Sequence, residues 1–293
     1  MIDGEGFLVF SIFFLTLHKK LEMANPKNLL IAVSGGRSSA RMARHIQTHP
    51  KYEFCNKLYV FCNTGMERPE TIDFLKKIVD IWEIPLTIIE GDYSEKKIGY
   101  KIVTFDTLDM KAEVFKNMIR HKNLFSSYKG LPNIKAPYCS GDMKTKPTKA
   151  LADEVFRPNN YVKAIGYRKE DMPKRITLAE LKEDKSLICP LLTDFEEPLG
   201  IPEVDSFFNT EPFQLQVPRR LDNCELCWKK STKNLVEAIQ YGTRFIDWFK
   251  DMEKEYNSTM FRERKSIEDL IEMAKQDTCL LKEEDSDGCV CTF

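Results

Sequence analysis

Leu29-Leu30-Ile31-Ala32-Val33-Ser34-Gly35-Gly36-Arg37-Ser38-Ser39 is the stretch that decides the fold. Residues 29–33 form an unbroken apolar run, the pattern of a strand buried on both faces of a parallel sheet. Ser34-Gly35-Gly36 breaks the run, and a helix over 38–48, opened by Ser38, is expected to follow. A strand that turns straight into a helix leaves backbone N–H groups unpaired at the turn, and the helix dipole adds positive potential there. Gly35 and Gly36 permit a tight turn and close approach of an anion to the backbone. Ser34, Ser38 and Ser39 offer hydroxyls, and Arg37 offers charge. The spacing is neither the Walker pattern nor the dinucleotide pattern. Read alone, the stretch is either a phosphate-binding loop or a turn with a helix cap; with the segments below it reads as a site for the phosphates of an adenine nucleotide.

Outward from this loop the pattern repeats. Residues 57–62 read as a second strand ending in Asn63-Thr64-Gly65. Pro69 opens a helix to about Trp82, with Ile72, Leu75, Ile78, Val79 and Trp82 at helical spacing, and 85–89 is a third strand. Strand, helix, strand, helix, strand predicts an α/β fold with a doubly wound parallel sheet. Residues 91–135 read as a polar insertion with one helix around 110–121. A helix over 145–157 with Pro147 in its first turn and a strand over 161–165 come next. A further strand is expected within 187–192. Beyond about residue 200 the pattern is helical, at 202–209, 232–240, 243–255 and 266–276. The expected organisation is an extension at 1–25, a nucleotide-binding domain at 26–200, and a helical, cysteine-bearing region at 201–293.

Bulk properties narrow the classes. The chain has 293 residues, of which 42% are hydrophobic and 30% charged, so it can bury a core. A net charge of -1 gives no global pull toward nucleic acid or membrane. The apolar run 7–17 is too short to span a bilayer, which takes roughly 20 residues. Asp3 and Glu5 before it do not suit a secretory signal. It reads as a packed N-terminal helix, a contact between copies of the chain, or an upstream extension with the functional start at Met23. Nine cysteines without an export signal point to a reducing, cytoplasmic setting rather than a disulfide framework. Cys55, Cys62 and Cys189 lie in or beside apolar runs and read as small buried hydrophobes. The four histidines, His18, His45, His49 and His121, form no cluster in sequence; His45 and His49 read as solvated helix residues.

The Ser-Gly-Gly loop resembles that of the PP-loop ATP pyrophosphatase superfamily, and most of all its phosphoadenosine-phosphosulfate-reductase-like branch, which includes many phage members. Four more segments, in order, carry the resemblance. Asn63-Thr64-Gly65-Met66-Glu67-Arg68-Pro69-Glu70-Thr71 matches the branch's Asn-Thr-Gly-x-Glu-x-Pro-Glu-Thr. There Asn63 and Thr64 are expected to bond ribose, phosphate or metal-bound water; Glu67 joins them or caps the next helix. In Tyr138 to Pro147, Lys144 is either a phosphate ligand or a solvated lysine at a helix start. In Ile165 to Arg175, Arg168 and Arg175 are planar forks suited to phosphate oxygens. The last segment runs from Phe213 to Lys230.

Cys224-x-x-Cys227 has the spacing of a metal-binding thiolate pair, and Cys289-x-Cys291 is a second close pair. The resemblance to adenylylsulfate reductases adds Cys139, in a family that holds an iron–sulfur cluster; here Ser140 stands where a second cysteine is expected. An iron–sulfur cluster, structural zinc and no metal all remain open. The resemblance implies a Mg²⁺-dependent cleavage of ATP to AMP and pyrophosphate that adenylates an acceptor, with Lys144, Arg168 and Arg175 stabilising the transition state. It leaves the acceptor open, a nucleic acid or a small molecule. Reduction of a sulfonucleotide is the runner-up, although the ending Gly-Cys-Val-Cys-Thr-Phe departs from the reductase pattern. A non-catalytic nucleotide-binding accessory is the third reading.

Overall fold

The structure, a computed structural model, describes residues 28–276. The apolar run 7–17, Met23, Cys279 and the pair Cys289 and Cys291 lie outside the described residues. β1 (Asn28–Ala32) leads through Ser34–Gly36 into α1 (Arg37–Thr48) and on to β2 (Asn56–Cys62). α2 (Pro69–Trp82) and β3 (Leu86–Asp92) repeat the unit. β4 (Gly99–Val103) and α3 (Glu113–Phe125) follow. Next comes a helical stretch of Tyr138–Ser140, a π-turn at Gly141–Thr145, and α4 (Lys146–Phe156). β5 (Val162–Ala164), α5 (Leu178–Glu183), β6 (Leu187–Ile188) and α6 (Pro190–Thr193) complete the α/β part. α7 (Ile201–Thr210), α8 (Thr232–Tyr241), α9 (Ile246–Tyr256) and α10 (Ile267–Gln276) make up the rest.

The six strands form one sheet in the order β4-β3-β2-β1-β5-β6. All neighbours are parallel except β3 and β4. Strand side chains alternate between faces, and both faces are buried. Leu29, Ile31, Tyr59, Phe61 and Ile88 belong to one apolar cluster, with α1 and α2. Leu30, Val60, Cys62 and Ile89 meet Leu151 and Ala152 of α4 on the other face. This two-sided burial is why 29–33 reads as a continuous apolar run rather than an alternating one. The larger cluster continues past residue 200 without a break, through Val204, Phe208 and Phe213 to Leu270. Phe208 and Phe213 pack on Phe74 and Trp82 of α2.

Two departures from the sequence reading concern edges. β4 falls in the stretch read as a polar insertion with a single helix; it pairs antiparallel with β3, as Ile89 opposite Ile102 shows. Its side chains are half-buried or exposed, Ile102 being 65% exposed, so it carries none of the burial pattern that marks an inner strand. The run 187–192 divides: β6 stops at Ile188, and Pro190, which has no N–H to give a ladder, opens α6.

His45 is a third departure. It is buried, with Nε2 3.1 Å from Asp194 Oδ2. Asp194 also accepts from Lys51 Nζ at 2.6 Å and from the Tyr52 hydroxyl at 2.5 Å, tying the end of α6 to the end of α1. Burial disfavours the Asp194 carboxylate, but the hydrogen bonds from His45, Lys51 and Tyr52 outweigh it and hold its pKa well below the usual carboxylate range. A depressed folded-state pKa gives stability that is present above the unfolded value of about 4 and is lost as pH falls below it. Asp194→Asn is therefore expected to lower stability by about 2–3 kcal/mol at pH 7. The gap from wild type should narrow below about pH 4, which urea unfolding across pH measures.

Candidate functional site

In a parallel sheet the carboxyl ends of the strands face one way, and ligands bind where the strand order reverses. Here β1 sits between β2 and β5, so that point lies between the loops after β1 and β5. Gly35 has φ +83°, and a Cβ there would stand 2.5 Å from Thr71 Cγ2. Both facts require glycine. Gly36 is the N-cap of α1, and no side chain caps the helix, so its first-turn amides stay open. Ser39 donates to Gly36 O at 2.9 Å and accepts from the Ser34 amide at 3.0 Å; Ser34 Oγ lies 3.0 Å from Ser39 Oγ. These two serines brace the loop. Ser38 is half-buried and makes no hydrogen bond through its hydroxyl among the described residues.

Arg37 is engaged by the segment that follows α7. Its Nη2 donates to the carbonyls of Leu215 and Val217 at 2.7 and 3.0 Å. Burial and the nearby Arg219 lower its pKa from the ordinary guanidinium value.

The β5 loop lies directly on the start of α1: a Cβ on Gly166 would stand 2.9 Å from Ser38 O. Two residues on, Arg168 is 7% exposed. Its Nε is 3.5 Å from Asp171 Oδ2, and its two terminal nitrogens have no hydrogen-bond partner among the described residues. Asp171 also takes the Arg168 amide at 2.9 Å and lies 3.2 Å from Arg175 Nε. One carboxylate thus orients both arginines, a role the sequence reading did not give it. Its position within the Arg168-to-Arg175 segment was the available signal.

The β2 loop is built for rigidity. Asn63 is fully buried; its amide donates to Glu90 Oε1 at 2.7 Å and Asp109 O at 2.8 Å, and its oxygen accepts from the Gly65 amide at 3.2 Å. Asn63 braces the loop. Gly65 has φ +79°, and a Cβ there would meet Asp109 at 2.2 Å. Glu67 is buried and accepts from the Thr64 hydroxyl at 3.0 Å. It does not cap α2, whose N-cap is Arg68 without a side-chain cap bond.

Residues 215–231 run across these loops as a strap. The Glu225 amide donates to Met66 O at 3.0 Å, and Glu67 bridges Cys224. Arg244 Nη2 donates to Glu67 O at 2.6 Å while its Nε meets Glu225 at 2.8 Å. The strap carries Asp222, which the sequence reading missed. A Cβ on Gly36 would lie 3.7 Å from Asp222 Oδ2. Burial pushes the Asp222 pKa up to about 6, against the pull of Lys230, Arg37, Arg219 and Arg168. Buried Lys230 donates to the carbonyl of Asp222 at 2.7 Å and to that of Cys224 at 3.2 Å.

Three of the candidate metal cysteines come together. Cys139, Cys224 and Cys227 line one cavity of about 30 Å³, together with Thr64, Lys144 and Trp228. Trp228 Nε1 donates to Cys139 Sγ at 3.4 Å, and Cys224 Sγ is 3.4 Å from Thr64 Oγ1. Among the described residues no three His, Cys, Asp or Glu side chains form a metal-binding group. Lys144 is 2% exposed, so it is not a solvated lysine. It pulls down the pKa of Cys62, which burial nevertheless pushes up to about 12. Beyond this cavity, at β3 and β4, lies an open cleft of about 950 Å³ whose lining includes Lys97, His121, Lys122, Lys146 and Lys149.

The two loop glycines separate folding from binding. Gly35→Ala is expected to lower stability by about 2 kcal/mol or more, through positive φ and the contact with Thr71. Gly36→Ala, at φ -93° with its nearest contacts at 3.7 Å, should melt like wild type. Chemical denaturation of both variants checks this.

No family model matches the chain, and no solved structure matches it. The chain is similar to a protein of Escherichia phage lambda described as "Uncharacterized nin region protein ORF290", with 29% identity over 262 residues, covering 83% of this chain and 84% of that protein.

Proposed function

We propose that this protein binds an adenine nucleotide through its phosphates at the β1–α1 loop, in the manner of PP-loop ATP pyrophosphatases. On this reading it cleaves ATP to AMP and pyrophosphate and adenylates an acceptor. The observation that carries the reading is Arg168, whose side chain is largely buried and oriented through Nε by Asp171 while its two terminal nitrogens stay unused among the described residues, beside a helix start whose amides are open. The two nitrogens remain available, and a planar oxyanion can take both of them at once. The α1 amides and the Ser38 hydroxyl hold the pyrophosphate part. Arg168, oriented by Asp171, stabilises charge as it develops on the phosphate being cleaved. Mg²⁺ bound with the nucleotide supplies charge neutralisation; the loop, with Ser38 where many members of the branch have aspartate, offers it no carboxylate.

The thiol cavity favours sulfur chemistry at the acceptor end. Cys139, Cys224 and Cys227 gather beside Thr64, on the same sheet edge as the phosphate loop. They do not by themselves fit a zinc or iron–sulfur site, so no step is assigned to one. Two acceptor classes fit sulfur transfer, nucleic acid and small molecule, and reduction of a sulfonucleotide uses the same thiols. Similarity to a phage lambda protein supports a role in phage biology.

The test is calorimetric binding of ATP and of adenylylsulfate, followed by product analysis with Mg²⁺. Wild type should bind at least one of the two and release pyrophosphate and AMP from ATP. Arg168→Ala should weaken binding about tenfold or more, and Arg168→Lys, a point charge instead of a fork, should not restore it. Sulfite release from adenylylsulfate with a thiol would move the assignment to reduction. Binding of neither nucleotide would overturn the proposal.

A further inference from the structure

The strap places a negative charge where the proposed function needs a positive site. Asp222 stands over Gly36, at the open N-terminus of α1, with Oδ2 3.7 Å from the position of a Gly36 Cβ. Four cations from three parts of the chain act electrostatically on its carboxylate: Arg37 of α1, Arg168 of the β5 loop, and Arg219 and Lys230 of the strap. Arg37 is held by the Leu215 and Val217 carbonyls, Arg219 by Asp205, and Lys230 by the Asp222 and Cys224 carbonyls. Arg168, paired through Nε with Asp171 at 3.5 Å, keeps its two terminal nitrogens unused among the described residues. Asn223, at φ +64°, donates through Nδ2 to Asp222 Oδ1 at 2.7 Å and fixes the carboxylate in this position.

We infer that Asp222 is a resident anion of the phosphate site, which nucleotide phosphate displaces on binding. The inference rests on the proposed nucleotide reading and adds to it a specificity-determining residue. The alternative, that Asp222 is a ligand for a nucleotide-bound divalent cation, fits the surroundings poorly: four cations acting on one carboxylate repel a further cation. Displacement has a direction. Inorganic pyrophosphate or a nucleotide has to outcompete a tethered carboxylate, so weak monoanions are excluded and polyphosphates admitted. The strap, fastened through Glu225 and Arg244, sets how far Asp222 can withdraw.

The experiment compares the full chain with Asp222→Asn, nearly isosteric and able to keep the Asn223 bond, and with Asp222→Ala as a second variant. Circular dichroism melts verify folding. Binding of inorganic pyrophosphate without divalent cation, and of ATP with and without Mg²⁺, is measured by calorimetry. Removal of the carboxylate is expected to tighten pyrophosphate binding about tenfold, with the gain shrinking at high salt. Unchanged affinity, with wild type still binding ATP, would overturn the displacement and leave the nucleotide site standing. Weaker binding in Asp222→Asn confined to Mg²⁺-containing samples would make Asp222 a metal ligand and overturn it also. Failure of wild type and both variants to bind any of the probes would overturn this inference and the nucleotide reading together.

Discussion

Gly166 has no room for a methyl group above the first turn of α1. That contact brings the loop after β5 onto the loop after β1, and the candidate site depends on it. β5 pairs with β1 over only three residues, so the strand ladder alone fixes its end loosely. Packing of backbone on backbone supplies the remaining precision, because nothing flexible lies between the two loops. Arg168 then emerges buried at the helix start instead of in solvent. Asp171 completes the arrangement from within the same turn, since one carboxylate shared by two guanidiniums limits both.

The strap buries Leu215, Val217, Leu221, Leu226 and Trp228 in the main core, and polar groups fix it over the loops. Met66, Glu67 and Leu221 give up backbone carbonyls to Glu225, Arg244 and Arg68. Lys230 is buried with an ammonium that faces carbonyls of its own strap. Desolvating such charges costs several kcal/mol each, and the attraction to well-placed carbonyls roughly offsets it. Net stabilisation is therefore small. What the arrangement gains is position: hydrogen bonds are directional, and apolar contacts are not. Just before the strap, Phe208 and Phe213 pack against Phe74 and Trp82 of α2 and hold its start.

Elements buried on both sides were legible in the sequence, and elements at edges were not. β1, β2 and α2 announce themselves because their apolar residues have nowhere to go but the core. β4 and the division of 187–192 were missed because an edge strand and a proline-opened turn leave little periodic trace. At the candidate site, Gly35, Gly36 and Arg168 stood out by residue type and by position after a strand. The tertiary contacts of Arg37 and Asn63 were not legible: two carbonyls more than 170 residues away engage Arg37, and Glu90 and Asp109 engage Asn63. Asp222 had no local signal, since its meaning comes from Gly36, far away in sequence.

Parallel strands impose one further consequence. Adjacent strands lie about 4.8 Å apart, and β5, β1, β2 and β3 are successive neighbours whose carboxyl ends share an edge. The phosphate loop at β1 and β5, the thiol cavity at β2 and the open lysine-lined cleft at β3 and β4 therefore follow one another within about 15 Å. Antiparallel strands would have sent alternate loops to opposite ends of the sheet. Thr64 ties the β2 loop to the thiols: its hydroxyl meets both Glu67 and Cys224, which are themselves bridged to each other. On the proposed reading, a molecule anchored by its phosphates at β1 would lie along this edge toward the thiols.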